Sequence, residues 1–202
     1  MRSKLPLVGT TIFTTMSQLA AEQQAINLSQ GFPDFDVPAA LADMLSSYVH
    51  QGHNQYPPMM GVTYLREQIA LKTQSLYGAV ADPDLEITVT SGATEALLVA
   101  IQAVVHPQDE VIVFDPAYDS YDPAVTLCQG ITRHIPLLGP AFSIDWQRLK
   151  DTINARTRLL IINSPHNPTG AVLSAADLEQ LATLFRDTDI YLLSDEVYEH
   201  MV

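Results

Sequence analysis

Leu159-Leu160-Ile161-Ile162 runs directly into Asn163-Ser164-Pro165-His166-Asn167-Pro168-Thr169-Gly170. Four apolar residues without polar alternation describe a strand buried on both faces, and such strands belong to mainly parallel sheets covered by helices. Two prolines and a glycine then break the strand into a loop of turns. Outward from this point the pattern repeats. Residues 111–114 and 190–193 are further apolar strands, and 86–90 and 131–135 are β-branched ones. Between them, 94–105 reads as a buried helix, apolar on nearly all sides. Residues 118–127 read as helical. Ser174, with Asp177 three residues on, caps a helix whose inner face is Leu178, Leu181, Leu184 and Phe185. Upstream, Val62, Leu65, Ile69 and Leu76 share one helical face that Gly78 ends. Shorter helices are expected at 14–23 and at 38–49, the latter opening on Pro38; the rest of 1–37 reads as irregular. Strands alternating with helices define an α/β fold with a mainly parallel sheet.

The composition agrees. Of 202 residues, 47% are apolar and 16% charged, enough apolar surface to offset the entropy of ordering the chain. Mean hydropathy is +0.09 and the isoelectric point about 4.6. A formal net charge of −13 argues against nucleic acid as a partner, because that binding relies on Lys and Arg neutralising phosphates. It leaves room for a small anion at one local positive spot. Cys128 is the lone cysteine, so neither a disulfide framework nor a cysteine-rich zinc site is expected. His50 and His53 stand three apart without a carboxylate or cysteine at ligand spacing, so no metal site is expected. The sequence has no signal-peptide pattern and no run of apolar residues long enough to span a membrane; a cytoplasmic protein is expected.

In folds of this class ligands bind beyond the carboxyl ends of the strands. After the 86–90 segment, Ser91-Gly92-Ala93-Thr94-Glu95 opens the buried helix. Exposed amides and the helix dipole there suit an anion, and the same residues equally suit an ordinary cap. Without Gly-x-Gly or Gly-Lys this is neither a dinucleotide fingerprint nor a Walker loop. After 111–114 comes Asp115-Pro116-Ala117-Tyr118, where Tyr118 offers a flat face to an aromatic ligand or packs as a core tyrosine. Asn163 and Asn167 carry amides at the top of the sheet, and His166 lies in the same loop. Asp195 follows 190–193 at the edge of the buried sheet. A carboxylate there needs a positive or protonated partner, and no basic residue adjoins it in sequence; its alternative role is a helix cap.

Each segment alone is weak, but their order and spacing are specific. The chain resembles the class I aminotransferases of pyridoxal phosphate fold type I. The resemblance is carried by Gln30-Gly31-Phe32-Pro33-Asp34-Phe35, Asn54-Gln55-Tyr56, Gly92-Ala93-Thr94-Glu95-Ala96, Asp115-Pro116-x-Tyr118, the Asn163–Gly170 loop and Asp195-Glu196-Val197-Tyr198. It is greatest toward the kynurenine, glutamine and bacterial methionine aminotransferase branch. It implies the mainly parallel sheet of the large domain, flanked by helices, over 46–202, and an arm and small-domain segment over 1–45. It also implies pyridoxal 5′-phosphate as cofactor, amino acid and 2-oxo acid substrates, and a homodimer.

By the same resemblance, Asp195 keeps the cofactor's ring nitrogen protonated, and Asn167 and Tyr198 hydrogen-bond its phenolic oxygen. Tyr118 stacks on the ring. Ser91, Gly92, Ala93 and Thr94 hold the phosphate, with Asn163 beside the cofactor. Tyr56 reaches the cofactor of the neighbouring subunit. Gly31, with Asn167, lies by the substrate. The family's Schiff-base lysine belongs to a Ser-x-x-Lys stretch some tens of residues past the Asp195–Tyr198 motif. The lysines here are Lys4, Lys72 and Lys150, none in such a motif. The expectation is therefore the N-terminal half of an aminotransferase, truncated and inactive alone. A cysteine-conjugate β-lyase using the same residues, or a non-catalytic remnant of the fold, are the alternatives.

Overall fold

The computed structural model describes residues 3–6, 8–31 and 35–201. Phe32, Pro33 and Asp34 of the Gln30–Phe35 loop lie outside them. The chain packs as two compact units, one within residues 7–89, the other from Thr90 onward together with the N-terminal residues up to Pro6.

The first unit holds helices α1 (Ile12–Glu22), α2 (Ala39–His50) and α3 (Thr63–Tyr77). Thr11 caps α1 by accepting from Thr14 N–H at 3.3 Å. Gly78 ends α3 in the left-handed region at φ 69°, where a side chain would be strained. The expected apolar face of α3 is not buried: Val62, Leu65 and Leu76 are exposed. The residue that anchors the helix is Arg66, 5% exposed. Its guanidinium donates to the carbonyls of Gly61, at 3.2 Å, and Pro83, and to the Asp84 carboxylate at 3.0 Å. A buried cation satisfied in this way ties the helix to the following loop.

Residues 86–90 do not form the expected strand. Val89 N–H goes to the carbonyl of Met60 at 3.0 Å, and none of the strands takes this segment as a neighbour. β-Branched residues favour an extended backbone, but a strand exists only where a second one completes its ladder.

In the second unit β1 (Glu110–Asp115), β2 (Ile131–Pro136), β3 (Thr157–Asn163) and β4 (Tyr191–Asp195) form a parallel sheet in the order β2-β1-β3-β4. Its helices are α4 (Ala93–Val104), α5 (Tyr121–Leu127), α6 (Trp146–Thr152) and α7 (Ala175–Phe185). Successive side chains of a strand point to opposite faces, and the core divides accordingly. Val111 and Val113 of β1 pack with Leu97 and Ile101 of α4 and Val125 of α5. Ile112 and Phe114 pack with Leu149 of α6 and Leu181 and Phe185 of α7. The two central strands, β1 and β3, are thus buried on both faces, as their unalternating apolar residues require, whereas Tyr191 and Leu192 of the apolar edge strand β4 are exposed.

Helix α5 begins at Tyr121 rather than 118. Pro123 lacks an N–H and must lie in the first turn, where that donor is not needed. Helix α6 was not expected from the sequence; Asp145 caps it by accepting from Arg148 N–H at 3.0 Å. The α7 cap is the expected box, with Ser174 and Asp177 side chains each accepting from the other's backbone N–H.

Candidate functional site

The chain passes from β1 out to β2 and returns to the other side of β1 as β3. The switch between β1 and β3 opens a crevice at the carboxyl edge, the usual ligand position in such sheets. A cavity there is lined by Ala93, Thr94 and Leu97 from α4, Tyr118 after β1, Asn163 and Asn167 at and after β3, and Asp195, Val197 and Tyr198 at and after β4. Seven of the residues named from the sequence, Ala93, Thr94, Tyr118, Asn163, Asn167, Asp195 and Tyr198, thus share one cavity.

Asn163 and Asp195 are register partners across the β3–β4 ladder. The Asn163 amide donates to the Asp195 carbonyl at 2.9 Å, while its oxygen accepts from Asn167 N–H at 2.6 Å. Asn163 therefore ties β4 to the loop that carries Asn167. One amide hydrogen remains to it, so its place is more that of a brace than of a ligand donor. The Thr94 hydroxyl stands 3.5 Å from the Tyr118 hydroxyl, which places the helix end beside the aromatic ring.

Ser91 and Gly92 do not line this cavity. Ser91 N–H donates to the Glu95 carboxylate and Gly92 N–H to the Thr90 carbonyl. Their amides are spent within the turn. The first amides of α4 itself, from Ala93 onward, have no acceptor inside the helix. The amides that this terminus leaves free for an acceptor thus start at Ala93. Gly31 and the fully exposed Tyr56 belong to the other unit. His166 lines a second, more apolar cavity, together with Phe114, Tyr121, Ile162 and Leu173. Its Nδ1 lies 2.8 Å from the Thr169 hydroxyl, and burial holds its pKa below the ordinary value of 6.5.

Asp195 is 8% exposed. Its Oδ2 accepts from the Tyr121 hydroxyl at 2.7 Å and its Oδ1 from Val197 N–H at 3.3 Å. Both donors are neutral, and among the described residues no cation pairs with it. Burial, then the neighbouring carboxylate, raise the Tyr121 phenol well above its ordinary value of 10, so it stays a donor at any ordinary pH. Leu97, Val197 and Tyr121 were not among the residues expected at the site. Leu97 was legible only as one of many apolar positions in α4. Tyr121 lies three residues after Tyr118 across the turn that opens α5, where its N–H donates to the Tyr118 carbonyl at 3.3 Å.

The arrangement suits a planar, anionic, aromatic ligand with a basic ring nitrogen. It offers a helix N-terminus for the anion, a tyrosine face for the ring and an uncompensated buried carboxylate for the nitrogen. Those are the features of pyridoxal phosphate, and the residues present fit it.

Sheet, flanking helices and crevice together define pyridoxal-phosphate-dependent aminotransferase fold type I. The chain belongs to the family Aminotransferase class I and II, which it matches over residues 23–202. It is 55% identical over 200 residues to the methionine aminotransferase of Escherichia coli, covering 99% of this chain and 52% of that protein. A crystal structure of an Escherichia coli methionine aminotransferase superposes with a TM-score of 0.95. The N-succinyldiaminopimelate aminotransferase structure from Mycobacterium tuberculosis gives 0.94 at 42% identity, over 99% of this chain and 53% of that one. The aspartate aminotransferase of Thermus thermophilus with maleate gives 0.91 at 35% identity, over 100% and 55%. The chain spans about half the length of the relatives it matches.

Proposed function

We propose that residues 1–202 supply the cofactor-binding part of a pyridoxal-phosphate-dependent aminotransferase. It would move an amino group from an amino acid, methionine first among candidates, to a 2-oxo acid. The observation that carries this reading is the Asp195 carboxylate, buried, satisfied among the described residues only by neutral donors, and sharing one cavity with the start of α4. The 55% identity to a methionine aminotransferase supports methionine as donor.

When bound, pyridoxal phosphate supplies an electron sink for charge developing at the substrate α-carbon. Asp195 holds a proton on the ring nitrogen by electrostatic attraction, strong because the pair is shielded from water. Ala93 and Thr94 hold the phosphate through backbone amides and the Thr94 hydroxyl. Tyr118 covers one ring face. Asn167 and Tyr198 donate to the phenolic oxygen, while Asn163 braces the loop. Gly31 lies by the substrate, and Tyr56, exposed on its own unit, reaches a neighbouring subunit in a homodimer. Residues 1–45 form the arm and small-domain segment, and 46–202 the large-domain portion.

The test is to titrate the full-length protein and its Asp195→Ala and Asp195→Glu variants with pyridoxal phosphate, and to assay methionine transamination. Asp195→Ala should lose roughly two orders of magnitude or more in turnover, the size of a major electrostatic contribution, and Asp195→Glu less. Near-normal turnover in Asp195→Ala would sink the reading.

A further inference from the structure

A buried carboxylate can be oriented by a cation or by a neutral donor, and the two have different consequences. A lysine or arginine fixes the group but cancels its charge. A hydroxyl fixes it through a charge-assisted hydrogen bond and leaves the charge in place. The strong side-chain partner of Asp195 is of the second kind, the Tyr121 hydroxyl at 2.7 Å from Oδ2.

Tyr121 is not part of the cavity that Asp195 lines. Its ring is 3% exposed and packs with Val113, Val125 and Ile161. It stands edge-on to Tyr118, with centroids 5.8 Å apart and planes at 76°. It lines the second, apolar cavity and so reaches the carboxylate from outside the first one. The position of the hydroxyl is thus set by the packing of its ring in the core. Oδ1 keeps only the longer contact to Val197 N–H, which leaves it the freer oxygen for a ligand.

We infer that Tyr121 is a positioning residue of the site: its hydroxyl fixes Oδ2 of Asp195 and holds the carboxylate as an oriented, uncompensated anion for the cofactor's ring nitrogen. This rests on the reading of Asp195 as the carboxylate that meets that nitrogen. Because the hydroxyl acts only through Asp195, its effect on the cofactor must vanish when Asp195 carries no charge.

A double-mutant cycle on the full-length protein tests this. Pyridoxal phosphate is titrated by absorbance into the wild type, Tyr121→Phe, Asp195→Asn and the double variant, with circular dichroism as the check on folding. Tyr121→Phe keeps the packed ring and removes the hydroxyl alone. It should weaken binding roughly tenfold, as expected for a hydrogen bond to a charged group, and change binding less than about twofold in the Asp195→Asn background. The resonance of ¹⁵N-labelled cofactor should also move toward neutral pyridine in Tyr121→Phe, since a carboxylate with one donor fewer takes a larger share of the proton. Unchanged affinity in Tyr121→Phe, or an equal loss in both backgrounds, would overturn the inference while leaving Asp195 in its role. Wild-type affinity in Asp195→Asn would remove the Asp195 reading and this inference with it. Should Tyr121→Phe aggregate, Tyr121→Leu, also without the hydroxyl, carries the same cycle.

Discussion

Glu110→Gln tests what holds the sheet in place beneath the site. Glu110 is the first residue of β1 and 1% exposed. Its Oε1 accepts from Arg133 Nη2 of β2 at 2.7 Å and from Arg156 Nη2, just before β3, at 2.6 Å; its Oε2 accepts from Asn154 at 2.8 Å. One carboxylate thus joins three strands at the amino edge. The Arg133 hydrogen bond leads the effects that lower its pKa from 4.5 to about 2. At about 1.4 kcal/mol per pH unit, that amounts to about 3.5 kcal/mol of stability at neutral pH. Breaking a buried ion pair costs about 3–5 kcal/mol. Arg133 and Arg156 both reach solvent, at 42% and 60% exposure, and rehydrate when the charge is removed, so the low end applies. A lowered carboxyl pKa stabilises the fold above the unfolded value and loses that effect as pH falls through the folded one. The contribution is therefore whole above about pH 5 and down to about 1.4 kcal/mol at pH 3. Hydrogen exchange of the β1 and β3 amides, corrected for intrinsic rates, reads this local opening. Glu110→Gln should speed exchange roughly 300-fold at pH 7 and about tenfold at pH 3. Equal acceleration at both pH values would show that packing, not charge, is what the substitution removes. No acceleration would refute the lock altogether.

Two further outcomes are expected. Lys4, Lys72 and Lys150 are the lysines of the sequence, and none is among the residues lining the Asp195 cavity. The 202-residue polypeptide, mixed with pyridoxal phosphate and reduced with borohydride, should give no stoichiometric lysine adduct by mass spectrometry and no methionine transamination; an adduct with turnover would mean the wrong residues have been assigned. Ser174→Ala removes half of the α7 capping box and should cost about 1 kcal/mol, read as faster exchange across the first turn of α7; an unchanged rate would show that the box contributes nothing there.

Much of the frame was legible because it is local. Apolar runs marked β1, β3 and β4, β-branched residues marked β2, and Ser174 with Asp177 marked the start of α7. What was not legible depends on partners distant in sequence. Residues 86–90 have strand-like residues and, among the described residues, no strand beside them. The Tyr121–Asp195 bond joins positions 74 apart, and no reading of either segment alone announces it. The Asn163 amide looked free to meet a ligand, but register puts it against the Asp195 carbonyl, which takes one of its hydrogens. Pro123 carried a local signal for the late start of α5, and the apolar pattern around it obscured that signal.

The sheet buries two carboxylates, and their surroundings separate their tasks. Glu110 at the amino edge is met by two guanidiniums and an amide, so its charge is compensated and its energy goes into joining strands. Asp195 at the carboxyl edge is held by a phenol at 2.7 Å and a backbone amide at 3.3 Å. Each carboxylate is oriented by its donors, and charge is cancelled at one end of the strands. A carboxylate shielded from water without a counter-ion is costly unless something positive arrives. The fold tolerates that cost at the end of β4, where α4 and Tyr118 also face the cavity, and avoids it at the start of β1. That asymmetry, more than any single motif residue, argues that the carboxyl edge is built to receive a cationic aromatic ring and the amino edge to hold the strands that present it.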